Sequence, residues 1–350
     1  MDASLQKDPL SEETRGWLLG LLWRPCAPDE RATTLSMSPY LDYYSSRCQH
    51  FSHDGGIHLC VKSHSGLVDI ADMILAGATR GQVCSSLACP PATNNTNRDD
   101  IDRTIHTTVD LCGSLLLMAQ VGVHKFGFSR TTPLSWSGEQ TLRQAVEQHF
   151  QPQQGLQPDH PRMNKLFTAK NLSLIAGIKI KWTNNIVDHL LLSDDDQSVA
   201  IFHHAEFLKY QQCLKSSPFP QAFIEETLRT LALLLPQNDS KPCRWLLAQI
   251  TEHALDPCVA RCGSLRAQNR RFEHFSVWHD RLVILQQAFD ESSPRGIRQW
   301  WNDRRNSVQW YTFWVAILVF LMTLFFGLVQ SVEGGLQVYL SWKAMNPGTS

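Results

Sequence analysis

Through most of the chain, apolar residues recur at three- and four-residue intervals, the spacing that gathers them on one face of an α-helix. Ser11 with Glu12 and Glu13 reads as an N-cap followed by acids in the first turn, leading into Trp17, Leu18, Leu21 and Leu22 on one face. Val68, Ala71, Leu75 and Ala78 form a second stripe. A third opens at Asp99-Asp100 and runs through Ile101, Ile105, Leu111, Leu115 and Leu116 to about Val121. Helical patterns follow over Ser137–Phe150, Met163–Ile175, Ile186–Leu192, Pro220–Leu235 and Phe275–Phe289. Ile178-Lys179-Ile180-Lys181-Trp182 alternates instead and predicts one short strand. Composition marks Cys89–Asn97 as a loop and the Gln- and Pro-rich stretch Gln151–Pro161 as a linker between residues 1–150 and 162–305. The expected fold is mainly α, in two helical regions.

The pattern changes at the C-terminus. No charged residue occurs from Asn306 to Val332, and Trp310–Val329 is almost wholly apolar or aromatic. At 1.5 Å per residue, about 20 residues cover a hydrocarbon core of about 30 Å with every backbone group satisfied inside the helix. Residues 310–329 therefore read as one transmembrane helix, with Trp310, Tyr311 and Trp314 as an aromatic belt. Gly334-Gly335 and Glu333 predict a break, leaving residues 330–350 as a short tail whose Leu336, Tyr339 and Leu340 lie in the interface. Thr323, Gly327, Ser331 and Gly335 recur every fourth residue, a spacing that lets two such helices approach and predicts homo-oligomers.

Charge sets the expected orientation. Arg295, Arg298, Arg304 and Arg305 precede the span and only Lys343 follows it, so the large N-terminal part is expected in the cytosol. The acidic opening MDASLQKD and the short Leu18–Trp23 run give no signal-peptide pattern. The sequons at Asn94, Asn171 and Asn238 are then expected to carry no glycan. Over 350 residues, 32 Lys and Arg balance 33 Asp and Glu, which offers no field for nucleic acid. Ten Cys without a repeating spacing fit reduced thiols.

Four segments carry a resemblance. Trp182–Leu190, Val199–His204, Trp300–Asn306 and Gln309–Trp314 resemble a group of membrane proteins from filamentous fungi that share a WYTFW-type transmembrane segment. The resemblance covers roughly the C-terminal half. It implies a cytosolic region with a C-terminal hydrophobic segment and brings no catalytic residues; a role auxiliary to a secondary-metabolite pathway is the setting it suggests.

The phosphate-loop, dinucleotide, zinc-protease and nucleophile-elbow motifs are all absent from the sequence. Candidate chemistry lies in three clusters. Cys48, His50, His53, His58, Cys60 and His64 surround Asp54-Gly55-Gly56; if the glycines turn a hairpin, His53, His58 and Cys60 share a face that suits zinc. Asp188-His189 with His203-His204 and Glu206, flanking the acidic run Asp194-Asp195-Asp196, offers acid/base or metal chemistry, or else a helix-connecting acidic turn with capping Asp residues and partly buried histidines. Cys258 and Cys262 lie one helical turn apart near His253. The sequence thus predicts a membrane-anchored adaptor, scaffold or accessory protein whose partners are the lipid bilayer and other proteins, with a metal-dependent enzyme as the alternative.

Overall fold

In the computed structural model the apolar spacing becomes 12 α-helices and one small sheet among the described residues, which are 5, 11–22, 36–52, 56–88, 98–122, 133–152, 155–237, 244–292 and 307–345. The 89–97 loop, His53, the sequons at Asn94 and Asn238, Arg295, Arg298, Trp300, Trp301, Arg304 and Arg305 lie outside them. Two units result, residues 1–292 and 293–350.

The first unit begins with α1 (Glu12–Leu22), capped by Ser11 Oγ, which accepts from Thr14 N at 3.2 Å. Next come α2 (Ser38–Ser52), α3 (His64–Leu75), α4 (Arg80–Leu87), α5 (Arg98–Leu117) and α6 (Leu142–His149). α3 packs on α1, α4 and α5, burying Leu67, Val68, Ile70, Ala71 and Ile74. α4 and α6 both start with capping boxes, Thr79 with Gln82 and Thr141 with Gln144, in which cap hydroxyl and glutamine satisfy each other's orphan backbone N–H groups. The two caps pair across the chain, and Gly81 N donates to Gly138 O at 2.7 Å. A Cβ on Gly81 would lie 3.0 Å from that carbonyl oxygen, so this approach needs glycine.

After α7 (Ala169–Leu174) come β1 (Lys179–Thr183), β2 (Leu192–Ser193) and β3 (Ser198–Phe202), in the order β1-β3-β2. β1 runs parallel to β3 and β2 antiparallel to it, with Thr183 opposite Phe202 and Leu192 opposite Val199. The acidic run is the turn between β2 and β3 rather than a connection between helices. Asp194, Asp195 and Asp196 all have positive φ, and short polar side chains tolerate that better than most. Asp194 is held by Lys181 Nζ and Ser198 Oγ.

α8 (Ala205–Gln212), α9 (Gln221–Leu234), α10 (Arg244–His253) and α11 (His279–Glu291) complete the unit. Trp278, the residue before α11, supplies no side-chain cap; Glu226 of α9 caps the helix from outside. Its Oε1 accepts from Val277 N and Trp278 N at 2.8 Å each, and its Oε2 from Ser276 N and Oγ at 2.9 Å each. The aromatic core around it stacks Phe219 on Phe223 at 5.2 Å and tilts Phe150 against Phe223 at 4.4 Å.

Several boundaries differ from the sequence expectation. Met163–Phe167 is irregular before a six-residue α7, Ile186–Asp188 is a single 3-10 turn, and α6 and α11 begin five and four residues later than their apolar patterns. The segments flanking 151–161 are joined within one unit. Tyr40 stacks on Phe207 at 5.6 Å, Ile186 N donates to Met118 O, and Gly155 N and Leu156 N donate to Asp280.

The second unit contains α12 (Ser307–Met345), 39 residues long and continuous through Gly334-Gly335. The expected break and separate tail do not form. Two glycines cost a helix only about 1 kcal/mol each, and the ladder of backbone bonds around them is uninterrupted. Tyr311–Met345 is apolar and long enough to cross a membrane, with a mean hydropathy of 2.5 over its most apolar stretch. The hydroxyl of Thr323 donates to Val319 O within the helix.

Candidate functional site

Parallel pairing determines which polar residues meet. With Thr183 opposite Phe202, the chains leaving β1 and β3 carry Asn184 and His203-His204 out at the same sheet edge, the C-terminal edge where parallel sheets most often hold ligands. Asn184 Oδ1 lies 3.0 Å from His203 Nε2 and 2.8 Å from His204 Nε2. An amide oxygen only accepts, so both imidazoles donate from Nε2. The rings stack at 4.1 Å, with Trp182 edge-on to His203 and Tyr43 tilted toward His204.

Asp256 closes the far side. Its backbone N–H donates to His203 Nδ1 at 3.2 Å, completing the neutral Nε2–H tautomer of that ring. Its carboxylate accepts from Glu206 N at 2.6 Å and Cys258 N at 2.7 Å, so one side chain caps both α8 and the 3-10 turn Pro257–Arg261. Glu206 in turn accepts from Ser36 N at 2.7 Å. All four of His203, His204, Glu206 and Asp256 are buried. Burial pushes Asp256 up to about 6, holds His203 down at about 4 and drives His204 well below its ordinary range, helped by His203. The one polar atom of this cluster with no hydrogen-bond partner among the described residues is His204 Nδ1.

His189 belongs to a separate arrangement. Its Nδ1 accepts from Phe202 N at 3.1 Å and its Nε2 donates to Thr230 Oγ1 at 2.7 Å, whose hydroxyl in turn donates to Thr227 O. Burial, then the Arg281 charge, lowers it to about 3. Arg281 donates to the carbonyls of Val187 and His189 and lies over the Trp278 ring. Asp188 accepts from Asn185 Nδ2 at 2.8 Å. The five-residue cluster expected from sequence is therefore split, and two partners absent from that reading, Asn184 and Asp256, organise its larger half. Asp256-Pro257 carries a legible signal, a capping carboxylate before a proline at the first helical position.

Among the described residues of the Cys48–His64 segment there is no pairing of two strands; His53, Asp54 and Gly55 lie outside them. Cys48 and His50 belong to α2, residues 56–60 form a turn without strand pairing, and His64 opens α3. Cys48 is buried and its thiol is pushed up to about 12, while His64 Nδ1 bonds the Tyr44 hydroxyl at 2.9 Å. His58 and Cys60 are exposed. No group of three or more His, Cys, Asp or Glu side chains is placed to hold a metal ion among the described residues. Cys262 Sγ bonds Cys258 O at 3.6 Å and its thiol is raised to about 12 by burial, whereas His253 is exposed at the end of α10.

On α12, Thr323 and Gly327 line a shallow groove with Leu318, Met322 and Phe326, and a Cβ on Gly327 meets only open space. Ser331 and Gly335 continue the series on the same unbroken helix. Trp314 packs edge-on to Phe313 at 5.4 Å, and Trp310 lies in the first turn.

The fold and this site define a helical body with an internal imidazole–amide–carboxylate network and a long apolar helix. Comparison with protein-family models, characterised proteins and solved structures finds no match.

Proposed function

We propose that the chain is a membrane-anchored adaptor or accessory protein, with residues 1–292 in the cytosol and α12 as a single transmembrane helix. The observation that carries this reading is the exposure of α12. Leu318, Phe320, Leu321, Leu324, Phe325 and Leu328 are each more than half exposed, an apolar surface that lipid covers and water does not. The excess of Arg on the N-terminal flank supports the orientation, and Asn171 fits it. Its Nδ2 donates to Leu166 O at 2.8 Å, which engages one of the two amide hydrogens, and a glycan would replace one of the two.

The chemistry of the body favours binding over turnover. The candidate acids and bases are buried, and their hydrogen bonds go mainly to backbone N–H groups and to Asn184. Self-association through Thr323, Gly327, Ser331 and Gly335 is part of the proposal, as is an auxiliary place in a fungal biosynthetic pathway.

Alkaline carbonate extraction tests the anchor. The full chain is expected in the membrane pellet and a chain ending at Ser307 in the supernatant; a truncated chain that still pellets, or a full chain that is released, overturns it. An endoglycosidase-sensitive mass shift at Asn94, Asn171 or Asn238 reverses the orientation. Stoichiometric zinc in the purified full chain, lost in a His53, His58 and Cys60 triple variant, replaces the adaptor by a metal-dependent function.

A further inference from the structure

A cavity of the body lies among residues other than those of the histidine network. It has a volume of about 550 Å³ and opens between the segment leading into α7, the last turn of α9, the first turn of α10 and the 264–270 loop. That size lies in the range of small-molecule sites. Phe167, Trp245 and Leu246 give it apolar walls, and Lys165, Lys170 and Arg270 give it three cations. Among the described residues no carboxylate lines it and none of the three cations makes an ion pair. Charge of one sign over apolar walls focuses a field onto small anions.

Arg270 is the distinguishing feature. Its Nε is buried and has no hydrogen-bond partner among the described residues. Burial, and then the neighbouring Arg162, work against its charge. The side chain as a whole is only partly buried, and an anionic oxygen on its guanidinium would offset the repulsion from Arg162 through a charge-assisted bond.

We propose that this cavity binds a small organic anion, a carboxylate or phosphate monoester with an apolar body, its head on Arg270 and its body against Phe167, Trp245 and Leu246. The two exposed lysines draw the anion in, and Arg270 fixes its head. This does not depend on the adaptor reading, since the cavity lies wholly within residues 164–270.

The test is isothermal titration of the full chain in phosphatidylcholine nanodiscs, against empty discs, with 2-naphthoate, 2-naphthyl phosphate and uncharged 2-naphthol. At least one anion is expected to bind at a single saturable site, with naphthol at least about tenfold weaker. Arg270→Gln should weaken the anion by about tenfold and leave naphthol unchanged, with an unaltered circular dichroism spectrum. If that variant unfolds, the exposed-rim double variant Lys165→Gln/Lys170→Gln takes its place, and it should weaken the anion several-fold and flatten the salt dependence. Equal binding of naphthol and the anions, indifference to both sets of substitutions, or no saturable binding overturns the proposal. Discs containing phosphatidic acid distinguish the source: competition with the naphthyl probe assigns the site to a bilayer lipid headgroup, and its absence to a soluble anion.

Discussion

Replacing Glu226 by Ala tests whether one buried carboxylate holds the start of α11. The side chain accepts four hydrogen bonds, three of them from the consecutive backbone N–H groups of Ser276, Val277 and Trp278. Alanine leaves those donors facing the space the carboxylate filled, at about 1–3 kcal/mol for each that water fails to reach. Because the Ser276 hydroxyl can rotate away and the loop can relax, we expect a total of about 3–5 kcal/mol, near the upper end for single substitutions. In a unit of this size that lowers Tm by about 6–10 °C. Glu226→Gln should cost nearly as much, because its amide would aim an N–H at donors. The adjacent Glu225 is exposed, and Glu225→Ala should stay within about 0.5 kcal/mol. Thermal unfolding followed by tryptophan fluorescence reads all three, since Trp278 is buried against Phe150 and Phe223. If Glu226→Ala melts within about 2 °C of the parent chain, the cap from outside the helix is not what holds this junction.

Acid should weaken the body in a defined window. His189 and His203 stay neutral in the fold, at about 3 and about 4, so the unfolded chain takes up protons below about pH 6.5 that the fold refuses, and stability falls as pH drops from there. Asp256, raised to about 6, works the other way, because losing its costly charge helps the fold as pH falls through about 6. His204, also held neutral by burial, acts with the other two histidines, and together they outweigh the aspartate, leaving a net loss of at least about 2 kcal/mol between about pH 7 and pH 5; a flat urea-midpoint profile over that range would contradict the buried tautomers. Asn184→Leu removes the acceptor shared by two imidazole N–H groups and should cost about 2–3 kcal/mol in the same assay. Gly327→Leu fills the groove on α12 and should reduce crosslinked dimer in membranes, and an unchanged crosslinking pattern would remove helix pairing from the proposal.

Long apolar stripes were legible. α1, α5, α9 and the strand at Lys179–Thr183 lie close to where periodicity puts them, because each buries a face that repeats over several turns or alternates cleanly. Short elements were not, since periodicity alone cannot tell a 3-10 turn at Ile186–Asp188 or an irregular Met163–Phe167 from a buried helix. The histidine site was half legible for a related reason. His203 and His204 are visible as neighbours, but Asn184 reaches them through a parallel strand pair and Asp256 from a turn 52 residues beyond His204. The His/Cys segment was read around Gly55-Gly56, whereas Tyr40, Tyr44 and Cys48 bury a helical face at spacings of four, which takes Cys48 and His50 into α2.

The continuity of α12 has a mechanical consequence. A rod of 39 residues is about 58 Å long, nearly twice the hydrocarbon thickness, and its two ends share one rotational phase. Turning the N-terminal end of α12 about its axis would turn Leu336, Tyr339 and Trp342 with it, with no swivel at Gly334-Gly335 to absorb the twist. Inserting one residue near Gln330 would swing that far face by about 100° and shift it by about 1.5 Å while leaving the apolar length intact. The angular setting of the distal face thus becomes a quantity that chain length alone can dial.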